Sequence, residues 1–534
     1  MNIGISKNKT IPQKIHLLII LLLSIIFLVI SSRFLWTGHL HTYALDLTLS
    51  DQIGYVTTAR NIAEQGKYES NVYYPGKIPY YKDHNLLYMP GNYYVRAAFF
   101  YLFGYSVFAA VLPNLLSYIG SAILLFLIAQ KFFGIKSAYI TVFLFMLFPL
   151  FVLYSFTAMQ EMLFVFTCLL SFYLFIKMPQ KVRYFLGGLT LLIPFLIRES
   201  AAFMMLGFAT MIFFENKDKR FLKIIVFVLT SLTLLLFVYS LPQIRNKVPF
   251  TWGTLTPYGF EFYDFFTHGK NLITFVALAK IILSHFLKNV ITFIYLLTVW
   301  PWRMGFAFFM IIFALFLVCT ILFFLNKSIN KASLSFSVTV SIPTCLSMFS
   351  LYYFQVYTGA RMLLFLLPFF LCIISYILVS GRLLKTKSFT AILLSIIFLI
   401  NIFSLWESLR KFGNEFDDVD VYALICTDFL NSVGVSKANY FVGPYKISLD
   451  YVNEYYPIKY CFVPGNEILL KLVADKFPVD ILIIPSDDNL VYVKTSDKIK
   501  TTLLGDRFIM TEKKMFMNNT YLIFKQNPKR LLTK

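Results

Sequence analysis

Leu17 to Ser31 reads LLIILLLSIIFLVIS, an uncharged run between Lys14 and Arg33. Runs of this kind recur along most of the chain. Lipid offers no partner for backbone N–H and C=O groups, so such a run must close its hydrogen bonds internally as a helix. This predicts a polytopic α-helical membrane protein. Composition agrees, with 58% hydrophobic and 14% charged residues. A soluble domain sits nearer about half apolar and about a quarter charged.

The apolar pattern marks eleven spans: Leu17–Ser31, Phe108–Ile128, Ala138–Tyr154, Met159–Ile176, Tyr184–Leu196, Ala201–Phe214, Ile224–Leu241, Phe306–Leu325, Leu334–Tyr353, Met362–Val379 and Phe389–Leu405. Lys7, Lys9 and Lys14 precede the first. No small-residue cleavage site follows it, so an uncleaved first helix is expected rather than a signal peptide. With the N-terminus in the cytoplasm, the inside gaps are Lys131–Lys136, Lys177–Arg183, Glu215–Lys223, Asn326–Lys331 and Gly381–Lys387, each with at least two Lys or Arg. The outside gaps Ser155–Ala158 and Gln355–Arg361 carry none and one. That alternation follows the positive-inside rule. It depends on splitting Tyr184–Phe214 into two spans at Arg198-Glu199. It also depends on reading Val290–Trp300 as a surface helix ending at the interfacial WPWR sequence.

The net charge of +21 is therefore distributed among cytoplasmic gaps, which excludes nucleic acid as a partner. The six cysteines show no metal spacing, and Cys426 and Cys461 can pair only if the tail lies outside the cytoplasm. Residues 1–405 thus form the membrane domain, with outer loops at 33–106 and 242–302. Residues 406–534 change character. ANYFVGP and VDILIIP read as buried strands, and NEILLKLVADKF between them reads as an amphipathic helix. A small extracytoplasmic α/β domain is expected there.

Polar groups at membrane depth are costly and mark function. Asp46 and Asp51, Glu161, Arg198 with Glu199, and Arg361 all fall at the outer ends of spans. Bland roles exist for each. An acid in a first helical turn complements the dipole, which accounts for Asp51 or Glu161 alone. An interfacial arginine snorkels, which accounts for Arg361. Arg198 and Glu199 are either a local compensating pair or part of a site.

The order of motifs resembles the GT-C superfamily of integral-membrane glycosyltransferases. The similar branch contains protein O-mannosyltransferases, aminoarabinose transferases and dolichyl-phosphate-mannose–protein mannosyltransferase-like proteins. Its first outer loop carries D-E-x-x-Y-x-x-x-A; here Asp51-Gln52-Ile53-Gly54-Tyr55 with Ala59 stands in register. LLYMPGNYYVRAAFFYLFGYSVFAAVLP (Leu86–Pro113) follows where the family has its K-P-P-L-x-Y and F-G-x-S patches. Glu161 matches the acid opening the fourth span. ARMLLFLLP (Ala360–Pro368) matches a late R-x-L-L-x-x-L-P pattern. Gln52 departs from the usual Glu. Met89 stands where Lys is common, leaving Lys82 or Arg96 to replace that cation.

The resemblance implies transfer of a sugar from a polyprenyl-phosphate donor to an acceptor hydroxyl on a glycan, lipid or protein. The reaction would take place on the extracytoplasmic face, with inversion, in a cell envelope such as a prokaryotic plasma membrane. Asp51 would be the base. Arg361 and Arg198 would hold the lipid phosphate, with Asp46, Tyr55, Lys82 and Arg96 as further substrate contacts. Glu161 would orient the acceptor or sugar, or bind a divalent ion. The competing readings are a transporter or flippase, and a polysaccharide polymerase handling lipid-linked sugars. Inverted repeats, which mark many transporters, are not found. None of the five tryptophans lies in the W-W-D-Y-G pattern of oligosaccharyltransferases.

Overall fold

The computed structural model describes residues 12–35, 43–44, 47–48, 51–68, 72–73, 89–215, 220–240 and 364–380, five strands between 440 and 526, and isolated helical residues between 283 and 432. The expected spans Phe306–Leu325, Leu334–Tyr353 and Phe389–Leu405 and the loop at 242–302 lie, but for single residues, outside the described set.

Helix α1 (Gln13–Leu35) shows why this is a membrane fold. It exposes Leu18, Leu22, Ile26, Val29 and Ile30 while burying Ser24 and Ser31. In water that arrangement would be inside out. In lipid the apolar face needs no protein cover, and the small polar residues turn inward. Ser24 Oγ donates to the Ile20 carbonyl one turn back (2.8 Å), so its hydroxyl is satisfied within the helix. The helix Arg220–Ser240 is built alike, with Leu229, Leu236 and Phe237 outward and Ser231 buried. Among the described residues, three helices are long and apolar enough to cross a membrane.

After α1 come the short paired strands β1 (Tyr43–Ala44) and β2 (Leu47–Thr48), then helix α2 (Asp51–Gln65). Strand β3 (Val72–Tyr73) and helix α3 (Pro90–Phe103) follow. Helix α4 (Val107–Phe133) is capped by Ser106, whose hydroxyl accepts from the Ala109 amide (3.1 Å), and ends at Gly134 with φ 85°. It packs against α1, α3, α5 (Ile135–Leu147) and α7 (Glu161–Lys177), and so forms the centre of the bundle.

The expected continuous span Ala138–Tyr154 is broken. Helix α5 stops at Leu147, and α6 (Pro149–Ser155) leaves at 62°. Pro149 cannot donate a helical hydrogen bond, and it holds Phe148 extended, so the chain restarts there. Every residue of α6 is buried.

Helix α8 (Gln180–Phe195) ends where the sequence places its split. Arg198 is extended (φ −156°, ψ 133°) between α8 and a 3₁₀ turn over Glu199–Phe203. Helix α9 (Met204–Glu215) and α10 (Arg220–Ser240) follow, and α10 lies along α8. Gly188 makes that approach close: a Cβ there would sit 2.7 Å from Ser231 Oγ. Helix α11 (Leu367–Ser380), the late expected span Met362–Val379, packs on α4 and α5.

The tail strands β4 (Tyr440–Gly443) and β6 (Ile481–Pro485) fall where ANYFVGP and VDILIIP predict them. They join β5 (Lys459–Phe462) and the hairpin of β7 (Phe508–Phe516) with β8 (Asn519–Gln526). The sheet has six strands in the order β3-β5-β4-β6-β8-β7. Its first strand is not from the tail: Val72 and Tyr73 of the first loop pair in parallel with Tyr460 and Cys461. The expected helix NEILLKLVADKF lies outside the described residues.

Candidate active site

The turn joining α6 to α7 runs from Phe156 to Gln160, and three helices converge on it. Asn114, buried near the start of α4, donates from Nδ2 to the carbonyls of Thr157 (2.6 Å) and Met159 (2.6 Å). Arg96 of α3 is fully buried and donates to Met159 O (2.8 Å), to Asn114 Oδ1 (3.4 Å), to Asn92 Oδ1 (3.2 Å) and to the Ala110 carbonyl. Gln52 of α2 accepts the Ala158 N–H at 3.1 Å. A buried turn cannot leave its amides and carbonyls to water, so these side chains supply what secondary structure does not.

The turn presents Glu161, the first residue of α7. Glu161 is buried, and its Oε1 lies 3.7 Å from an Arg198 guanidinium nitrogen, itself nearly covered. The Arg198 guanidinium also stands 5.9 Å from the centre of the Phe164 ring, one turn along α7. Its position follows from α3. Gly91 N donates to Leu196 O at 2.7 Å, and a Cβ on Gly91 would stand 2.6 Å from that oxygen. Only glycine permits this approach, which pins the chain just before Arg198 to the start of α3. Helix α2 adds Tyr55, whose buried ring lies 5.9 Å from that of Tyr93.

Of the residues singled out by sequence, Glu161, Arg198, Arg96 and Tyr55 are thus gathered at one end of the bundle. Asp51 opens α2 immediately before the Gln52 anchor. Asp46, Lys82 and Arg361 lie outside the described residues. Arg96 donates to protein acceptors, so it clamps the turn. Burial pulls its pKa below the usual arginine value, and Tyr55 and Glu161 oppose that shift; a guanidinium keeps its proton throughout. Met89 is buried in the apolar core. Among the described residues, no three His, Cys, Asp or Glu side chains come together as metal ligands.

Sequence reasoning missed Asn114 and the anchor at Gln52. An asparagine inside a spanning helix is itself a signal, since its amide must find partners.

This geometry joins a fold comparison. The profile of the dolichyl-phosphate-mannose-protein mannosyltransferase family matches residues 88–242, which contain α3, the turn, Glu161 and Arg198. ArnT from Cupriavidus metallidurans, solved bound to undecaprenyl phosphate, superposes with a TM-score of 0.53 at 11% identity, over 95% of this chain and 97% of that one. The chain has the GT-C fold. The Archaeoglobus fulgidus oligosaccharyltransferase also shares it. Its complex with Zn and sulfate gives a TM-score of 0.52 at 14% identity, over 88% of this chain and 67% of that one. The form tethered to an acceptor peptide gives 0.50 at 12% identity, over 88% and 69%. No curated protein sequence matches the chain. Within the GT-C fold as seen here, the gathered residues belong to the stretch that the family profile covers, with α2 added from the preceding loop.

Proposed function

We propose that the protein transfers a sugar from a polyprenyl-phosphate-linked donor to an acceptor hydroxyl, at the extracytoplasmic face and with inversion. The carrying observation is the convergence at one end of the bundle: the start of α2, the carboxylate of Glu161 and the guanidinium of Arg198. The solved relative's undecaprenyl phosphate supports a lipid phosphate as the leaving group.

In this reading Asp51 takes the proton from the acceptor hydroxyl as its oxygen attacks the anomeric carbon. The bond from that carbon to the phosphate oxygen breaks, and the lipid phosphate leaves with the electron pair. Arg198 and Arg361 stabilise its charge, since a guanidinium grips phosphate through two parallel hydrogen bonds. Glu161 holds Arg198 in place before substrate arrives and orients the sugar or acceptor. A divalent ion, if bound, would be held by Glu161 and would supply further charge stabilisation for the leaving phosphate. Asp46, Lys82 and Tyr55 remain proposed substrate contacts. Arg96 acts from behind, through the turn.

The N-terminus is proposed to be cytoplasmic and residues 406–534 to form an extracytoplasmic domain. A reporter active only in the cytoplasm, fused after Lys534, should then stay silent. The function is tested with purified protein and a panel of polyprenyl-phosphate sugars. The expected result is consumption of one donor with release of polyprenyl phosphate. A protein that carries such donors across vesicle membranes and consumes none is a flippase instead.

A further inference from the structure

We infer that Gln52 is a positioning residue that sets the spacing between the start of α2 and Glu161. The inference rests on the reading of Asp51 and Glu161 as groups of the reaction centre.

Gln52 is 1% exposed, and its Oε1 accepts the Ala158 N–H at 3.1 Å across 106 residues of sequence. Ala158 stands three residues before Glu161 in the turn described above. The carbonyls of Thr157 and Met159 are held by α4 and α3. The amide of Ala158 is held by α2, through the residue next to Asp51. One hydrogen bond therefore ties the peptide that carries the proposed base to the peptide that leads into the proposed partner acid. Neither Asp51 nor Glu161 needs to touch the other for their spacing to be fixed.

The chemistry of the bond also accounts for the amide. The requirement at position 52 is an oxygen acceptor within reach of a buried N–H. A carboxylate, as in the D-E pattern, meets it too. Glutamine meets it with a neutral carboxamide. At this position the chain needs an anchor, and a second acid is not required.

The test compares Gln52→Met, Gln52→Asn and Gln52→Glu in the full-length protein. Methionine keeps the volume and removes the acceptor. Asparagine keeps the amide but draws it back by one methylene. Glutamate keeps the acceptor at full length. Hydrogen exchange of the peptide 154–161 should quicken at least about 10-fold in the first two and return to the wild-type rate in the third. Misplacing a reacting group by about 1 Å costs up to ~10²-fold in rate. Turnover per folded molecule should therefore fall about 10- to 100-fold in Gln52→Met and Gln52→Asn, with donor affinity unchanged, and recover in Gln52→Glu. Unchanged exchange, or unchanged turnover per folded molecule, in both Gln52→Met and Gln52→Asn overturns the inference. So does loss in all three alike, since the acceptor would then not be what matters. A wild type that consumes no donor sinks the reaction reading and this inference together. That case is recognisable, because residue 52 would still set the exchange of the turn.

Discussion

Arg183 and Arg198 stand at the two ends of α8 and are equally buried, at 7% each. Their partners differ in kind. Arg183 donates to the carbonyls of Ile176 (3.2 Å) and Met178 (2.8 Å), where α7 ends, and Lys131 joins it on Ile176 O (2.8 Å). These cations cap a helix C-terminus, whose last carbonyls have no partner along the helix and carry partial negative charge. Arg198 faces the carboxylate of Glu161 at the N-terminus of the same helix α7. A cation there opposes the dipole rather than complementing it, so it is placed for something other than helix stability. One end of the bundle uses its arginine to finish the backbone. The other gathers opposite charges beside the start of α2.

The strongest way to break that contrast is Asp51→Asn. Asparagine is as good at a helix start, so folding should hold. Loss of a general base typically lowers the rate ~10²–10⁴-fold. Asp46→Asn, five residues earlier, should be far milder. Sugar transfer is measured at equal membrane abundance. Normal transfer by Asp51→Asn would leave both ends of the bundle structural.

Next comes Arg198 itself. Arg198→Ala should lower transfer about 100- to 1000-fold, on the scale of losing one preorganised charge at a transition state. Arg198→Lys should recover little, lacking the planar fork. Arg361→Lys should weaken donor binding by about 1–2 kcal/mol for the same reason. If donor binding is indifferent to Arg361→Lys and Arg361→Ala alike, that residue returns to an interfacial anchor.

Arg183→Ala is the counterpart at the other end. It removes charged hydrogen bonds to buried carbonyls, each on a scale of about 1.5–3 kcal/mol. The melting temperature should fall while transfer per folded molecule stays. The two glycines give the smallest expected effects, about 1–3 kcal/mol of overpacking each. Gly188→Ala presses on Ser231 and should lower stability alone. Gly91→Ala presses on Leu196, two residues before Arg198, and should lower transfer as well. Equal activity in the two alanine variants would uncouple α3 from the site.

Much of the membrane fold was legible because lipid leaves a spanning backbone little choice, so apolar runs translate directly into helices. The break at Arg198 was readable from a charged pair inside an apolar stretch. The break at Phe148 was signalled by Pro149, but the run looked long enough to hide it. Glu161 stood out as an isolated acid at membrane depth. Gln52 did not, because a carboxamide gives no sign of a partner 106 residues away. The β7–β8 hairpin was missed for a related reason. FIMTEKKMF carries a charged stretch that resembles a surface segment until its pairing with β8 is known.

The pairing of Tyr73 with Cys461 has a counting consequence. Two hydrogen-bonded strands occupy the same compartment, so the chain between them crosses the bilayer an even number of times. The sequence places ten spans after the first, and ten satisfies that parity. Merging Tyr184–Phe214 into a single crossing, or promoting Val290–Trp300 to a full one, makes the number odd and would tear β3 from its sheet. Either change would have to be matched by a second elsewhere between Phe108 and Leu405. A two-residue strand thus acts as a checksum on the threading of more than three hundred residues.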